Sequence, residues 1–355
     1  MIKRLVRRHL VNFEPYRSAR SEALSATVYL DANELPVQSS ASSSNGVALN
    51  RYPDPFQIRL RAKLAEYAQL SPENIFVGSG SDEVIDLLFR LFCEPSDDSV
   101  VIFEPTYGVY RVCADLHGVQ VRAVQLDDQF DIPADLPLAG PPLEETGRDD
   151  KLLFCCSPNN PTGNLLSPER ITTLCASFKG IVVVDQAYGE FADDPGADLS
   201  RRVPDYPNLV VLKTLSKAWG LAGARIGFCA AHAEIIDYLL KIKAPYNINA
   251  VSSHIALHTL PFEQAMRQTV ESIRRERREV SDALARLPSV TRVYPSDANF
   301  LLVEFADRDR VFRHLFDAGI LVRRRSEERL RNCLRITIGT NEENSRLISC
   351  LKEIR

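Results

Sequence analysis

Leu209-Val210-Val211-Leu212-Lys213-Thr214-Leu215-Ser216-Lys217-Ala218-Trp219-Gly220 opens as a short apolar run and closes in hydroxyls, an amine and a glycine. Four consecutive apolar residues without polar alternation predict a strand buried on both faces. Five upstream runs have the same character: Ile75-Phe76-Val77, Val100-Val101-Ile102-Phe103, Val119-Gln120-Val121, Leu152-Leu153-Phe154-Cys155 and Ile181-Val182-Val183-Val184. Helical patterns lie between them, including residues 82–91, which Ser81 could cap, and residues 168–178, preceded by Ser167. Strands alternating with helices specify an α/β fold with a mostly parallel sheet, and such sheets take ligands at the carboxyl ends of their strands.

Downstream the pattern changes. Residues 249–287 read as a long helix carrying Arg274-Arg275-Glu276-Arg277-Arg278-Glu279, whose mixed charges suit a solvated face. After Pro288, short strands (Phe300-Leu301-Leu302-Val303 and Leu334-Arg335-Ile336-Thr337-Ile338) and two helices, 309–318 and 342–354, predict a small α+β domain. The expected division is an arm at 1–28 packing with the small domain and the active site, a large domain at 29–250, and a connecting helix plus small domain at 251–355. The Ser-rich stretch 38–46 has nothing with which to build a core and reads as a mobile loop, as does 141–150.

At 355 residues the chain has room for a large core with a buried site. With 45% hydrophobic and 25% charged residues it has the composition of a soluble globular protein, with no run long enough to cross a bilayer. The basic start Met1-Ile2-Lys3-Arg4 leads into no apolar stretch or cleavage site, so the expected address is cytoplasmic. Eight scattered cysteines without a C-x-x-C pair suit reduced thiols packed as small hydrophobes, not a disulfide framework or a metal site. A net charge of −4 gives no global attraction to nucleic acid. His254 and His258 share metal-ligand spacing but lack the acidic partner of a zinc hydrolase motif, and read as surface or packing residues.

Four segments that end apolar runs carry candidate chemistry. Gly78-Ser79-Gly80-Ser81-Asp82 joins a strand to a helix, where free backbone N–H groups and the helix dipole attract an anion, although a Gly/Ser turn alone is weak evidence. Ser157-Pro158-Asn159-Asn160-Pro161-Thr162-Gly163 is a rigid turn, Asp185-Gln186-Ala187-Tyr188 ends a buried run, and Ser216-Lys217 follows another. Together they suit a phosphorylated aldehyde, and pyridoxal 5'-phosphate is one. Lys217 supplies the amine, while Gly80, Ser81, Asp82, Thr214, Ser216 and Arg225 surround the phosphate. A buried Asp185 would keep a proton on the pyridine nitrogen; Asn160 and Tyr188 would hydrogen-bond the phenolic oxygen, and Tyr107 would stack on the ring.

The order of these motifs, with Arg225-Ile226-Gly227, resembles the fold-type I PLP-dependent aminotransferases across essentially the whole chain. Leu30-Asp31-Ala32-Asn33-Glu34, Arg51-Tyr52-Pro53-Asp54, Pro105-Thr106-Tyr107-Gly108-Val109-Tyr110 and Cys333-Leu334-Arg335-Ile336-Thr337-Ile338-Gly339 are most similar to the histidinol-phosphate aminotransferases within that superfamily. The resemblance implies an α/β large domain with a mostly parallel seven-stranded sheet between helices, a small α+β domain, and a homodimer with shared active sites. It implies that Lys217 holds the cofactor and then carries a proton, with Asp185 and Tyr188 as its catalytic companions. Tyr52 would reach the neighbouring subunit's phosphate. Tyr16, Asn33, Arg335 and Arg323 would contact substrate, with Arg323, Arg324 and Arg325 offering three candidates for the second anion contact. The implied substrates are histidinol phosphate and glutamate or 2-oxoglutarate, in histidine biosynthesis.

Relatives commonly carry Asp-Glu-Ala-Tyr where this chain has Asp185-Gln186-Ala187-Tyr188, which implies a packing or tuning consequence and leaves the aspartate intact. Two rival readings belong to the same superfamily: an aromatic or broad-specificity aminotransferase, and a threonine-phosphate decarboxylase. A third is a non-catalytic regulatory domain of the same fold. Retention of Asp185, Tyr188 and Lys217 together argues against the last.

Overall fold

The computed structural model describes residues 1–16, 30–36, 46–134 and 150–354. Residues 38–45 of the Ser-rich stretch and 141–149 of the second expected loop lie outside the described residues. All six apolar runs are strands: β1 (Ile75–Gly78), β2 (Ser99–Glu104), β3 (Gln120–Gln125), β4 (Asp150–Cys156), β5 (Ile181–Asp185) and β6 (Leu209–Thr214). A seventh, β7 (Gly227–Ala231), completes a sheet of order β1-β7-β6-β5-β4-β2-β3. β7 was not among the expected strands, since after Phe228 the segment Cys229-Ala230-Ala231 is small and weakly β-forming, and burial supports the strand there. It runs antiparallel to β1 and β6, while the pairs β6-β5, β5-β4, β4-β2 and β2-β3 are parallel. β3 departs from the expected burial on both faces: as an edge strand it leaves Gln120 and Gln125 exposed.

Strand periodicity divides the sheet's side chains between two cores. Val101, Leu153, Val182 and Val211 face one side, with α1 (Ile58–Ala68) and α4 (Pro168–Ser177). Val100, Leu152, Val183 and Val210 face the other, with α2 (Ser81–Phe92), α3 (Val109–Leu116) and α5 (Ala233–Ile242). Both faces are covered, which is why the runs are continuously apolar. Ser167 caps α4 through the Arg170 N–H at 3.3 Å; Ser81 is instead the first residue of α2, and Gly80 occupies the cap. At the N-terminus, Ile2 and Val6 join the core beneath α2 and α5, and residues 17–28 of the expected arm lie outside the described residues.

The expected long helix is two, α6 (Ala250–Thr259) and α7 (Glu263–Ala285), separated by a 3-10 turn holding Pro261, whose missing N–H and fixed φ break the pattern. Met266 and Val270 of α7 belong to the large core, and Val280 and Leu284 to a smaller one. The smaller core lies under an antiparallel sheet of order β10-β11-β9-β8, formed by β8 (Val290–Val293), β9 (Phe300–Phe305), β10 (Arg323–Arg324) and β11 (Cys333–Thr337), with α8 (Arg308–Asp317) and α9 (Asn341–Lys352). Leu301, Val303, Leu334 and Ile336 face that core, whereas Phe300 and Leu302 point to the large one. By the same alternation Arg335, between Leu334 and Ile336 and paired with Leu302, projects toward the seven-stranded sheet.

Candidate active site

The carboxyl ends of β4, β5 and β6 and the loop after β1 meet at one edge, and the reversed β7 starts at that edge because Gly227 pairs with both Gly78 and Thr214. Arg225, two residues before β7, is thereby brought beside the N-terminus of α2. The approach is close: a Cβ on Gly227 would come within 2.2 Å of the Ser81 nitrogen, and one on Gly80 (φ +81°) within 2.3 Å of an Arg225 guanidinium nitrogen. Only glycine fits either position.

A cleft of about 240 Å³ opens here, lined by Ser81, Asp82, Tyr107, Asn160, Asp185, Tyr188, Thr214, Ser216, Lys217, Arg225 and Arg335 among the expected site residues. Gly80 is the cap that starts its α2 wall. At one end, the Ser81 end of α2, buried Thr214, Ser216 and Arg225 form a cup of donors. Arg225 donates to Ser216 Oγ at 3.4 Å and pairs with Asp82 at 3.2 Å, while Asp82 also accepts from the Tyr107 hydroxyl at 3.1 Å. Helix-end N–H groups, hydroxyls and a guanidinium constitute an anion receptor.

Asp185 is only 3% exposed, and burial raises its pKa against the opposing effect of its hydrogen bonds. The Tyr110 hydroxyl donates to Oδ2 at 2.7 Å and the Ala187 N–H to Oδ1 at 3.0 Å. Among the described residues no cation pairs with this carboxylate, so it is suited to receive a cationic ring nitrogen. Tyr110 is a residue the sequence reading did not assign; its signal was the i, i+3 spacing from Tyr107 on what became α3. Cys156 and Ala187 also line the cleft unanticipated.

Lys217 opens into the cleft with Nζ 5.4 Å from the Tyr188 ring centre. Its side chain is exposed to the open cleft, yet partial desolvation by the cleft walls, then the nearby Arg335, lowers its pKa and favours the nucleophilic free amine. Burial also pushes the Tyr188 hydroxyl above its ordinary value. From the smaller sheet, Arg335 donates to Asn160 Oδ1 at 2.5 Å and lies over the Phe300 ring, which meets Tyr188 edge-on at 5.1 Å. The cleft can therefore hold a phosphate, present an amine to an aldehyde and receive a second anion at Arg335.

Four expected residues stand outside the cleft. Arg323 is exposed on β10, opposite Arg335 in register. Tyr16 and Asn33 are exposed, and Tyr52 stacks on Tyr246 with ring centres 4.5 Å apart. Glu34 accepts the Tyr52 N–H at 2.6 Å and pairs with Arg51 at 2.7 Å, which ties the segments 30–34 and 51–54 together. Gln186 turns away from the cleft: Oε1 accepts from the Leu199 N–H at 3.0 Å and Nε2 donates to the Ala197 carbonyl at 2.5 Å, so its consequence is structural.

The chain resembles known proteins along its whole length. It is 44% identical to a histidinol-phosphate aminotransferase of Parabacteroides distasonis over 100% of this chain and 99% of the relative. It is 43% identical to one from Flavobacterium psychrophilum over 99% of both chains. The structure of histidinol-phosphate aminotransferase from Sinorhizobium meliloti, solved in complex with pyridoxal-5'-phosphate, superposes with a TM-score of 0.77 at 25% identity, covering 86% of this chain and 83% of that one. The model of the aminotransferase class I and II family matches residues 22–351. The chain belongs to the class I and II aminotransferases.

Proposed function

We propose that the protein is a histidinol-phosphate aminotransferase that uses pyridoxal 5'-phosphate to convert L-histidinol phosphate and 2-oxoglutarate to imidazole acetol phosphate and L-glutamate. The observation that carries this reading is Arg335, a guanidinium brought by the smaller sheet into the cleft that holds Lys217 and Asp185. One planar guanidinium can grip either a phosphate ester or a carboxylate, as two half-reactions in one pocket require. The similarity to relatives named for this activity supports the same reading.

The donor set fits the cofactor, which when bound supplies an electron sink that stabilises a carbanion. Gly80, Ser81, Asp82, Thr214, Ser216 and Arg225 would surround its phosphate, Asp185 would hold a proton on its ring nitrogen, Tyr107 would flank the ring, and Asn160 and Tyr188 would meet the phenolic oxygen. Lys217 would hold the cofactor and, once displaced, move the proton at the substrate carbon as a neutral amine, the form that partial desolvation in the cleft and the neighbouring Arg335 favour. Tyr110 would keep Asp185 ionised and aimed.

Tyr16, Asn33 and Arg323 belong to this reading as further substrate contacts, and Tyr52 as a residue serving the cofactor phosphate of a second copy. A homodimer is supported by large apolar side chains left exposed in the segments that carry Asn33 and Tyr52, among them Leu30, Leu35 and Ile58. All eight cysteines are buried and free, which supports a cytoplasmic address; no helix among the described residues is long and apolar enough to cross a membrane. The division at residue 250 belongs to this reading, supported by α7, which, as a connecting helix would, gives Met266 and Val270 to the large core and Val280 and Leu284 to the small one.

The test is glutamate formation from histidinol phosphate and 2-oxoglutarate by the protein reconstituted with pyridoxal phosphate. Turnover that disappears in Arg335→Met, with the cofactor's absorbance retained, is expected. Carbon dioxide release from threonine phosphate with no glutamate from histidinol phosphate would reject the assignment. Sedimentation of a monomer at micromolar concentration would reject the dimer.

A further inference from the structure

The charged run on α7 is not uniformly the solvated face its composition suggests. Arg278 is exposed, but Arg277 is only 3% exposed. Its Nη1 donates to the carbonyls of Phe191 at 3.1 Å and Ala298 at 2.9 Å, and its Nη2 donates to Asp193 at 2.9 Å. Arg274, one turn earlier, donates to the carbonyls of Glu190 at 3.2 Å and Phe191 at 3.3 Å, and to that of Ala192. Burying a guanidinium is tolerated only where its donors find acceptors, and these acceptors are backbone carbonyls and the Asp193 carboxylate, in the two connections that follow Tyr188 and precede Phe300.

Both ends of the Arg277 bridge lead to reacting groups. Phe191 closes a 3-10 turn by donating its N–H to the Tyr188 carbonyl at 3.0 Å. Ala298 lies in the connection to β9, two residues before Phe300, the ring that touches Tyr188 and underlies Arg335. A closed circuit results: Arg277, the 189–191 turn, Tyr188, Phe300, Ala298 and back. Nearby, the Asp297 N–H donates to the Gly163 carbonyl at 2.7 Å, so the Asn160 turn is held by the same connection.

We propose that Arg277, assisted by Arg274, is a positioning residue that fixes the Arg335-bearing sheet relative to the Tyr188 turn, so that capture of anionic substrate depends on it more than cofactor retention does. The substrate half rests on the proposed function; the clamp itself rests on the geometry alone. A planar fork serves three acceptors at fixed angles, which a lysine's single ammonium cannot reproduce. Displacement of a substrate-gripping group by 1 Å is enough to cost on the order of 100-fold in rate.

Hydrogen–deuterium exchange and kinetics on the reconstituted protein test this with Arg277→Met, Arg277→Lys and, as a control on the exposed face of the same helix, Arg275→Met, whose side chain bonds only Ser272 of α7. In Arg277→Met, amides at 189–192 and 298–302 exchange at least about tenfold faster while those of β5 and β6 keep their protection. The kcat/KM for amino donor and keto acceptor falls about tenfold or more, carried by KM, and half-saturation by pyridoxal phosphate stays within about twofold. Arg277→Lys shows the same split with a smaller loss, and Arg275→Met matches wild type. Wild-type exchange at 298–302, or cofactor affinity falling in step with kcat/KM, overturns the proposal. If Arg277→Met does not fold, Arg274→Gln is judged by the same exchange measurement, with acceleration of about threefold at 189–192 and 298–302 expected and none overturning the proposal. A wild-type protein without turnover rejects the proposed function, and exchange alone then decides the clamp.

Discussion

Lys213 and Lys217 stand four residues apart at the end of one strand and have opposite chemistry. Lys213 is 3% exposed and its ammonium lies 3.2 Å from Glu190 and 3.1 Å from Asp198. Burial alone would lower its pKa, but the two carboxylates override burial and hold it above the ordinary value. Lys217 opens into the cleft beside Arg335, with no carboxylate pairing it among the described residues, and burial and that neighbouring cation lower its pKa. The same side chain is a locked structural cation in one pocket and a reactive amine in the next. What differs is which charges the fold sets around each.

Lys217→Ala puts the contrast between the two lysines to its hardest test. Its kcat/KM falls on the order of 10⁴-fold or more, and the absorbance of the lysine-bound cofactor is lost while the fold is kept. Persistence of that absorbance would transfer the role to another amine, with Lys213 the nearest candidate. Lys213→Met does the reverse: it strands Glu190 and Asp198 and costs about 3 kcal/mol of stability in urea unfolding. Cofactor absorbance per folded molecule is retained. An unchanged midpoint would show that the Lys213 pocket is not structural.

Gln186→Glu sharpens the comparison from the side of the Lys213 pocket. It removes the donor to Ala197 and adds a carboxylate beside Glu190 and Asp198, with an expected loss of about 1–2 kcal/mol by chemical denaturation. Stabilisation would show that Lys213 has capacity for a third acidic partner. The smallest effect is one of pH. Because the folded-state pKa of Lys217 is lowered, its charged form disfavours folding below that value, and the penalty fades as pH rises toward the ordinary 10.5. Lys217→Met should therefore stabilise the cofactor-free protein near pH 7 by less than about 0.5 kcal/mol after solvent screening, and the gain should vanish near pH 10. Lys213, with its raised pKa, keeps its contribution to stability up to the ordinary 10.5 and loses it only as pH climbs through the higher folded value.

Much of this was legible in the chain. Continuous apolar runs marked the buried strands, and the polar residues that end them, Asp185 and Thr214 among them, line the cleft because parallel strands deliver their carboxyl ends to one edge. β7 was missed because small residues carry little propensity, and the helix break at Pro261 was hidden by the helical periodicity on either side of it. Tyr110 appeared only as part of a motif, since its partner Asp185 is 75 residues away. The charged run misled at Arg277 because composition reports a helix's average and not which of its faces another segment covers.

The α/β class and the order of the cofactor-type residues are written in the chain, since they follow from local periodicity and from chemistry carried by single side chains. It took the folded arrangement to bring Arg335 into the cleft of Lys217 from a second sheet, to set Tyr110 on Asp185, and to leave one of two neighbouring lysines without a carboxylate partner among the described residues. Burial and charge pairing are sums over neighbours brought from far along the chain, and no local pattern contains them.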